Sequence, residues 1–347
     1  MKQMCILDTV KVTIFVMLVA LISGCGNSGG DSEQAMITGR GNSGGNSEQA
    51  MFRGNLERTG VFSSDGPSSP GELVWKFKTE GAVTSSPTIS GGMVYFGSRD
   101  GHLYAVDIKT GQEKWKFKTK PHVDSSPAIS GGMVYFGSWD GHLYAVDIKT
   151  GQEKWKFKTE GPVYSSPAIS GGMVYFGSFD GHLYAVDIKT GKEKWKFKTK
   201  SEVGSSPAIS GGMVYFGSWD GHLYAVDIKT GQEKWKFKTE DKVFSSPAIS
   251  GGMVYFGSND GHLYAVEIKT GQEKWRFKTE GAVFSSPAIS GGMVYFGSLD
   301  GHLYAVEMKT GQEKWKFKAE DAVASSPAIS GGMVYFGSDD GHLYAVK

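Results

Sequence analysis

The sequence predicts an all-β fold, a seven-bladed β-propeller of four-stranded antiparallel blades whose last blade is closed by an N-terminal strand. Three observations carry that prediction. The stretch Ala105-Val-Asp-Ile-Lys-Thr-Gly-Gln-Glu-Lys-Trp115 recurs every 40 residues, with full copies beginning at Ala105, Ala145, Ala185, Ala225, Ala265 and Ala305. A fixed period of this size marks a propeller, a solenoid or an array. Each period holds four short strand signals separated by turns, which is the content of one blade. Finally, the seventh copy starts at Ala345 and stops at Lys347, while its missing Trp-bearing strand stands near the other end of the chain as Val74–Lys78. A ring has a use for a repeat split between two ends. A linear solenoid, the alternative, has none.

Taken in order, the chain of 347 residues begins with a targeting signal over 1–24. Lys2 and Lys11 flank a polar start, and the apolar run Val12–Ile22 is too short to span a bilayer but fits a secretory h-region. It ends in Leu21-Ile-Ser-Gly-Cys25, which resembles the bacterial lipobox. That resemblance implies cleavage before Cys25 and lipidation of its sulfur; an ordinary signal peptide with a chance cysteine is the other reading. Cys5 would leave with the signal, so no thiol pair remains for a disulfide, a redox motif or a thiolate metal site. Gly26 stands where an Asp would retain many Gram-negative lipoproteins at the inner membrane, implying an outer-membrane address in such a source. Residues 25–67 read as a Gly/Ser/Asn-rich tether and lead-in segment: Gly26–Met36 is nearly repeated at Gly41–Met51. Such a composition buries too little apolar surface to offset ordering entropy.

The propeller is expected over 68–347. In the first repeat, Ser85–Ile89 and Met93–Gly97 read as strands joined by Ser90-Gly91-Gly92. His102–Val106 follows Asp100-Gly101, a dipeptide typical of a type I′ turn, and Lys114–Lys118 alternates strictly, putting Trp115 and Phe117 on one face. Pro87 cannot donate to a ladder and belongs on the inner edge. The lysines of the fourth strand suit the outer edge, where charge discourages pairing with other chains. Trp115 is expected between blades, and Asp107 and Thr110 in the turn before Gly111.

The pattern Ala105-x-Asp107-x-x-Thr110-Gly111-x-x-x-Trp115 resembles the tryptophan-docking motif of the pyrroloquinoline-quinone (PQQ) repeat family. Met51–Gly60, leading into Leu73-Val-Trp75, resembles that family's usual opening segment, so the likeness covers about residues 51–347. Glu267 and Glu307 replace the Asp in two copies. The family includes quinoprotein dehydrogenases and the lipoprotein of the outer-membrane barrel-assembly machinery, both commonly eight-bladed.

Catalysis requires a break in symmetry: one base, one metal, one cofactor pocket. The candidate channel residues Ser85 and Ser86 instead recur in every blade. The histidines at 102, 142, 182, 222, 262, 302 and 342 sit on separate blades, too far apart to share an ion at the ~2.0–2.1 Å that zinc requires. The sequence therefore predicts no enzyme, no cofactor and no metal. Its net charge of +1 gives no field for nucleic acid.

Where the seven copies differ is informative. The residue before Asp-Gly is Arg99, Trp139, Phe179, Trp219, Asn259, Leu299 or Asp339. The residue before Ser-Ser-Pro is Thr84, Asp124, Tyr164, Gly204, Phe244, Phe284 or Ala324, and two residues earlier stand Ala82, His122, Pro162, Glu202, Lys242, Ala282 and Ala322. In an up-and-down blade these connections emerge on one face. Trp139, Tyr164, Phe179, Trp219, Phe244 and Phe284 should then form an exposed aromatic arc, joined by Leu299, Arg99, Asp124, Asn259 and Asp339, as a binding surface. The expected function is a membrane-anchored, non-enzymatic scaffold holding a protein or glycan. Alternatives are an accessory lipoprotein of barrel assembly and, from a different class, a PQQ-dependent oxidoreductase.

Overall fold

The computed structural model describes residues 54–55 and 74–347. The expected signal peptide, Cys25, the tether and the opening of the propeller lie outside the described residues, Gly54 and Asn55 apart.

Seven antiparallel sheets follow one another along the chain, and each keeps its strands in sequence order. The first blade comprises Thr88–Ser90, Met93–Ser98, His102–Asp107 and Glu113–Lys118. The same four elements repeat through the sixth blade, and the seventh contributes Ala328–Ser330, Met333–Gly337 and Leu343–Val346. The first strands of successive blades lie against one another and form the inner wall. Second and third strands are buried along their length because a neighbouring blade covers each face, whereas Glu113–Lys118 alternates between exposed and half-buried residues.

The turns differ from expectation. Gly91 and Gly92 both have positive φ, 58° and 76°, between the paired residues Ser90 and Met93, so the two-residue type I′ geometry is found there. At Asp100-Gly101 the loop has three residues. Gly101 donates to the Ser98 carbonyl at 3.1 Å, and Gly101 alone takes positive φ, at 84°. This is a type I turn followed by a left-handed glycine. The first strand is also shorter than predicted, because Ser85 replaces ladder bonds with its side chain: Gly97 N–H donates to Ser85 Oγ at 2.7 Å.

The core lies between blades. One cluster joins Tyr135, Leu143, Trp155 and Phe157 of the second blade to Val174, Phe176, Tyr184 and Val186 of the third. Fully burying a side chain such as Phe176 contributes about 1.5–3 kcal/mol. Trp115 closes the outer end of each such interface. Its indole donates to the Ile148 carbonyl at 3.1 Å, and its ring lies so close over Gly151 that a Cβ there would come within 2.6 Å. Only glycine fits, and its φ of 68° suits the turn. Asp107 shapes that turn as expected, accepting from Lys109 N–H, Thr110 N–H and Thr110 Oγ1.

The seven blades form the expected propeller, and the closing strand packs where the fourth strand of the last blade belongs, but without its ladder. Trp75 donates to Ile108 O at 2.9 Å and Phe77 packs on Phe96 and Tyr104, as Trp115 and Phe117 do one blade further on. Val74–Lys78 thus occupies a fourth-strand position against the first blade. Among the described residues, however, no ladder joins it to Leu343–Val346, so the seventh sheet has three strands. Leu343 is 43 % exposed where Leu303 is 0 %. A Cβ at Gly341 would meet nothing within 4 Å, whereas at Gly301 it would meet the Lys318 ammonium and the Asp321 carbonyl. Contacts between blades form; the edge-to-edge pairing at this seam does not.

Candidate binding face

The two variable positions of each repeat are joined directly. Arg99 N–H donates to the Ala82 carbonyl at 2.8 Å, and the same bond recurs at Trp139–His122, Phe179–Pro162, Trp219–Glu202, Asn259–Lys242, Leu299–Ala282 and Asp339–Ala322. All the variable side chains therefore gather at one mouth of the ring. Beneath them, Ser86 N–H donates to Ser126 Oγ at 2.9 Å, the first of six such links running from blade to blade to Ser326. A groove of about 380 Å³ on the opposite side, lined by residues that include Met93, Tyr95 and Trp115, is built from residues common to the repeats.

The aromatic residues do not form an exposed arc. Trp139, Tyr164, Phe179, Trp219, Phe244 and Phe284 are all half-buried. They pack on one another: Trp139–Phe179 at 5.9 Å, Phe179–Trp219 at 5.1 Å, Trp219–Phe244 at 5.8 Å and Phe244–Phe284 at 5.7 Å between ring centroids. The correction has a steric cause. The inner ends of the blades converge, so large side chains on neighbouring blades meet over the axis before they meet solvent. Burial, with the negative charge of Asp124 adding to it, pushes the Tyr164 hydroxyl up to about 12. Leu299 and Arg99 are the variable site residues that stay exposed.

Asp124 is the polar centre of the mouth and is 8 % exposed. Its carboxylate accepts from Thr84 Oγ1 at 2.5 Å, Arg99 Nε at 3.0 Å and Trp139 Nε1 at 2.9 Å. Near the seam, Asp339 is held above the usual carboxylate range by burial and by the charges of Asp321 and Asp340. Asn259 Oδ1 and Trp219 Nε1 are buried with no hydrogen-bond partner among the described residues. Sequence reasoning left out three residues that the structure brings into the site. His122 contacts the Arg99 carbonyl at 2.7 Å through Nδ1, Lys242 lies 4.6 Å from the centroid of the Trp219 ring, and Gly204 lies between Phe179, Trp219 and Phe244. Their signal was present, since all three occupy variable positions.

The repeated histidines lie beside the Asp-Gly turns: His102 Nδ1 is 3.1 Å from Asp100 Oδ1, and Tyr104 donates to Asp100 Oδ2 at 2.8 Å. Burial raises the Asp100 carboxyl, but the hydrogen bonds from Tyr104 and His102 outweigh it and leave it lowered. Among the described residues, no three His, Cys, Asp or Glu side chains are placed to hold a metal ion.

The family described as outer membrane protein assembly factor BamB matches this chain over 67–162, 109–242, 195–316 and 221–347. The chain belongs to that family. The likeness to PQQ-type repeats read from the tryptophan motif is thereby borne out. Among solved structures, BamB from Moraxella catarrhalis is similar at a TM-score of 0.71 and 20 % identity, covering 86 % of this chain and 98 % of that one. The computationally designed Ika8 protein is similar at a TM-score of 0.69 and 25 % identity, covering 76 % of this chain and 83 % of that one. No curated protein matches the chain. Within this chain the blades are near-identical and the non-uniform positions gather at one mouth.

Proposed function

We propose that the chain is a non-enzymatic accessory lipoprotein of outer-membrane protein assembly, anchored through Cys25 and holding a protein partner at the variable mouth. The observation that carries this reading is the pairing of all seven variable position sets at one end of a ring that is otherwise uniform. Family membership supports the partner class, because the matching family is described as an outer membrane protein assembly factor. A protein partner is favoured over a glycan because the aromatic rings at the mouth pack largely edge-on or tilted to one another, leaving no broad exposed platform for a sugar ring.

The test is affinity purification of the full chain from envelope membranes solubilised in mild detergent. Recovery of the barrel-assembly β-barrel subunit in stoichiometric amount supports the proposal. Recovery of the chain alone, together with dye-linked dehydrogenase activity on added PQQ, contradicts it. Cys25→Ser should release the chain from the membrane fraction.

A further inference from the structure

The repeat provides its own template for a ligand group. In the second blade, Trp139 Nε1 donates to the Asp124 carboxylate at 2.9 Å, and the cationic Arg99 pairs with the same carboxylate at 3.0 Å. The fourth blade carries Trp at the equivalent place, Trp219, but Gly204 stands where Asp124 stands. Trp219 Nε1 still points to that position, lying 3.4 Å from where a Cβ on Gly204 would be, and it is buried without a partner. A cation is present here too: Lys242 Nζ lies 4.6 Å from the centroid of the Trp219 ring. Leaving a buried donor unmatched costs about 1–3 kcal/mol, so an acceptor brought to this indole recovers what Asp124 supplies in the second blade.

We infer that Trp219 Nε1 and Lys242, beside Gly204, form a subsite for a carboxylate, taken from an Asp or Glu side chain on the partner polypeptide. The inference rests on the reading of this mouth as the partner-binding face. The group would stand where the Asp124 carboxylate stands one repeat-pair earlier, accepting from the indole and facing the ammonium. Phe179 and Phe244 cover the position, at 3.1 and 3.5 Å from the Cβ site, so the incoming group must turn these rings aside. Glu202 is the competing anion. Its carboxyl is lowered chiefly by the Ser201 hydroxyl, with Lys242 adding to the effect. Gly204 does not have a positive φ, so the backbone there accepts a side chain.

The experiment is fluorine NMR of the full chain in detergent, labelled with 5-fluorotryptophan, with Trp219 assigned through Trp219→Phe. The probe is N-acetyl-aspartate N-methylamide, with sodium chloride at matched ionic strength and oligogalacturonate as separate arms. The expected result is a saturable shift of the Trp219 resonance with the blocked aspartate while Trp139, already paired to Asp124, stays still. Gly204→Asp should supply the carboxylate internally, move Trp219 without probe and weaken the titration at least tenfold; Gly204→Ala should keep it within about threefold. A stationary Trp219 resonance, or an equal shift with chloride, overturns the subsite. Tighter binding of oligogalacturonate overturns the polypeptide source. Capture of the barrel-assembly subunit with no Trp219 response removes this inference alone, whereas a positive titration without any capture removes the wider reading and leaves the carboxylate site.

Discussion

Tyr164 and Phe244 belong to the third and fifth blades, yet their ring centroids lie 5.6 Å apart. Gly204, on the blade between them, has no side chain to keep them separate. The mouth is therefore closed by a packed aromatic plug that one glycine permits. A double-mutant cycle with Tyr164→Ala and Phe244→Ala should show a coupling of about 0.5–1.5 kcal/mol in denaturant unfolding, as aromatic pairs give. Additive single effects would mean that the rings do not meet in solution.

Asp124 satisfies three donors at once, so its removal leaves all three without their acceptor. Asp124→Ala should cost about 1–3 kcal/mol, read from the shift in urea midpoint at constant slope. Asn retains an acceptor oxygen but not the charge, and should recover part of that loss.

The seam gives a contrast between equivalent tryptophans. Trp155→Ala should cost about 3 kcal/mol, since it empties a closed interface between blades. Trp75→Ala should cost less, because the segment carrying it has no ladder to the seventh blade. Hydrogen exchange checks the same point independently: amides of Leu343–Val346 should exchange faster than those of Leu303–Val306.

Asp339 provides a pH dependence of defined sign. Its carboxyl is raised in the folded chain by burial and by Asp321 and Asp340, so its contribution is fully present below the unfolded-state value and is lost as pH rises through the folded one. Asp339→Asn should therefore raise the melting temperature at pH 7 and leave it nearly unchanged at pH 3. Equal shifts at both values would assign the effect to packing instead.

Tyrosine titration gives a second one. Burial pushes Tyr95, Tyr135, Tyr175, Tyr215 and Tyr255 up to about 12 from an ordinary 10.0. Raised values stabilise the fold below pH 10 and withdraw that support as pH climbs toward 12, so phenolate absorbance should appear together with unfolding.

Much of this was legible in the sequence because the repeat is strict. The period, the blade order, the interblade Trp115 and the gathering of Arg99 through Asp339 at one mouth follow from spacing alone. The spacing predicts an exposed aromatic arc where the structure has half-buried rings, since pattern tells which face a residue is on but not whether its neighbours on other blades reach it. Gly204 stands among the variable positions but not among the expected site residues for the same reason: its effect lies in the space it leaves. The type I′ turn was assigned to Asp100-Gly101 on dipeptide preference, when Gly91-Gly92, with two residues free of Cβ, has the stronger claim. Closure by Val74–Lys78 was read from sequence identity, which captured its packing on the first blade but not the missing ladder.

The central claim is that the non-uniform mouth, and not the uniform face, meets the partner. Photo-crosslinking in intact cells tests it most directly, with the reactive residue placed at Leu299 or Asn259 on the mouth and at Lys109 or Lys149 on the opposite side. The account predicts crosslinks to the barrel-assembly subunit from the first pair only. Crosslinks to that subunit from Lys109 or Lys149, with none from Leu299 or Asn259, would contradict it.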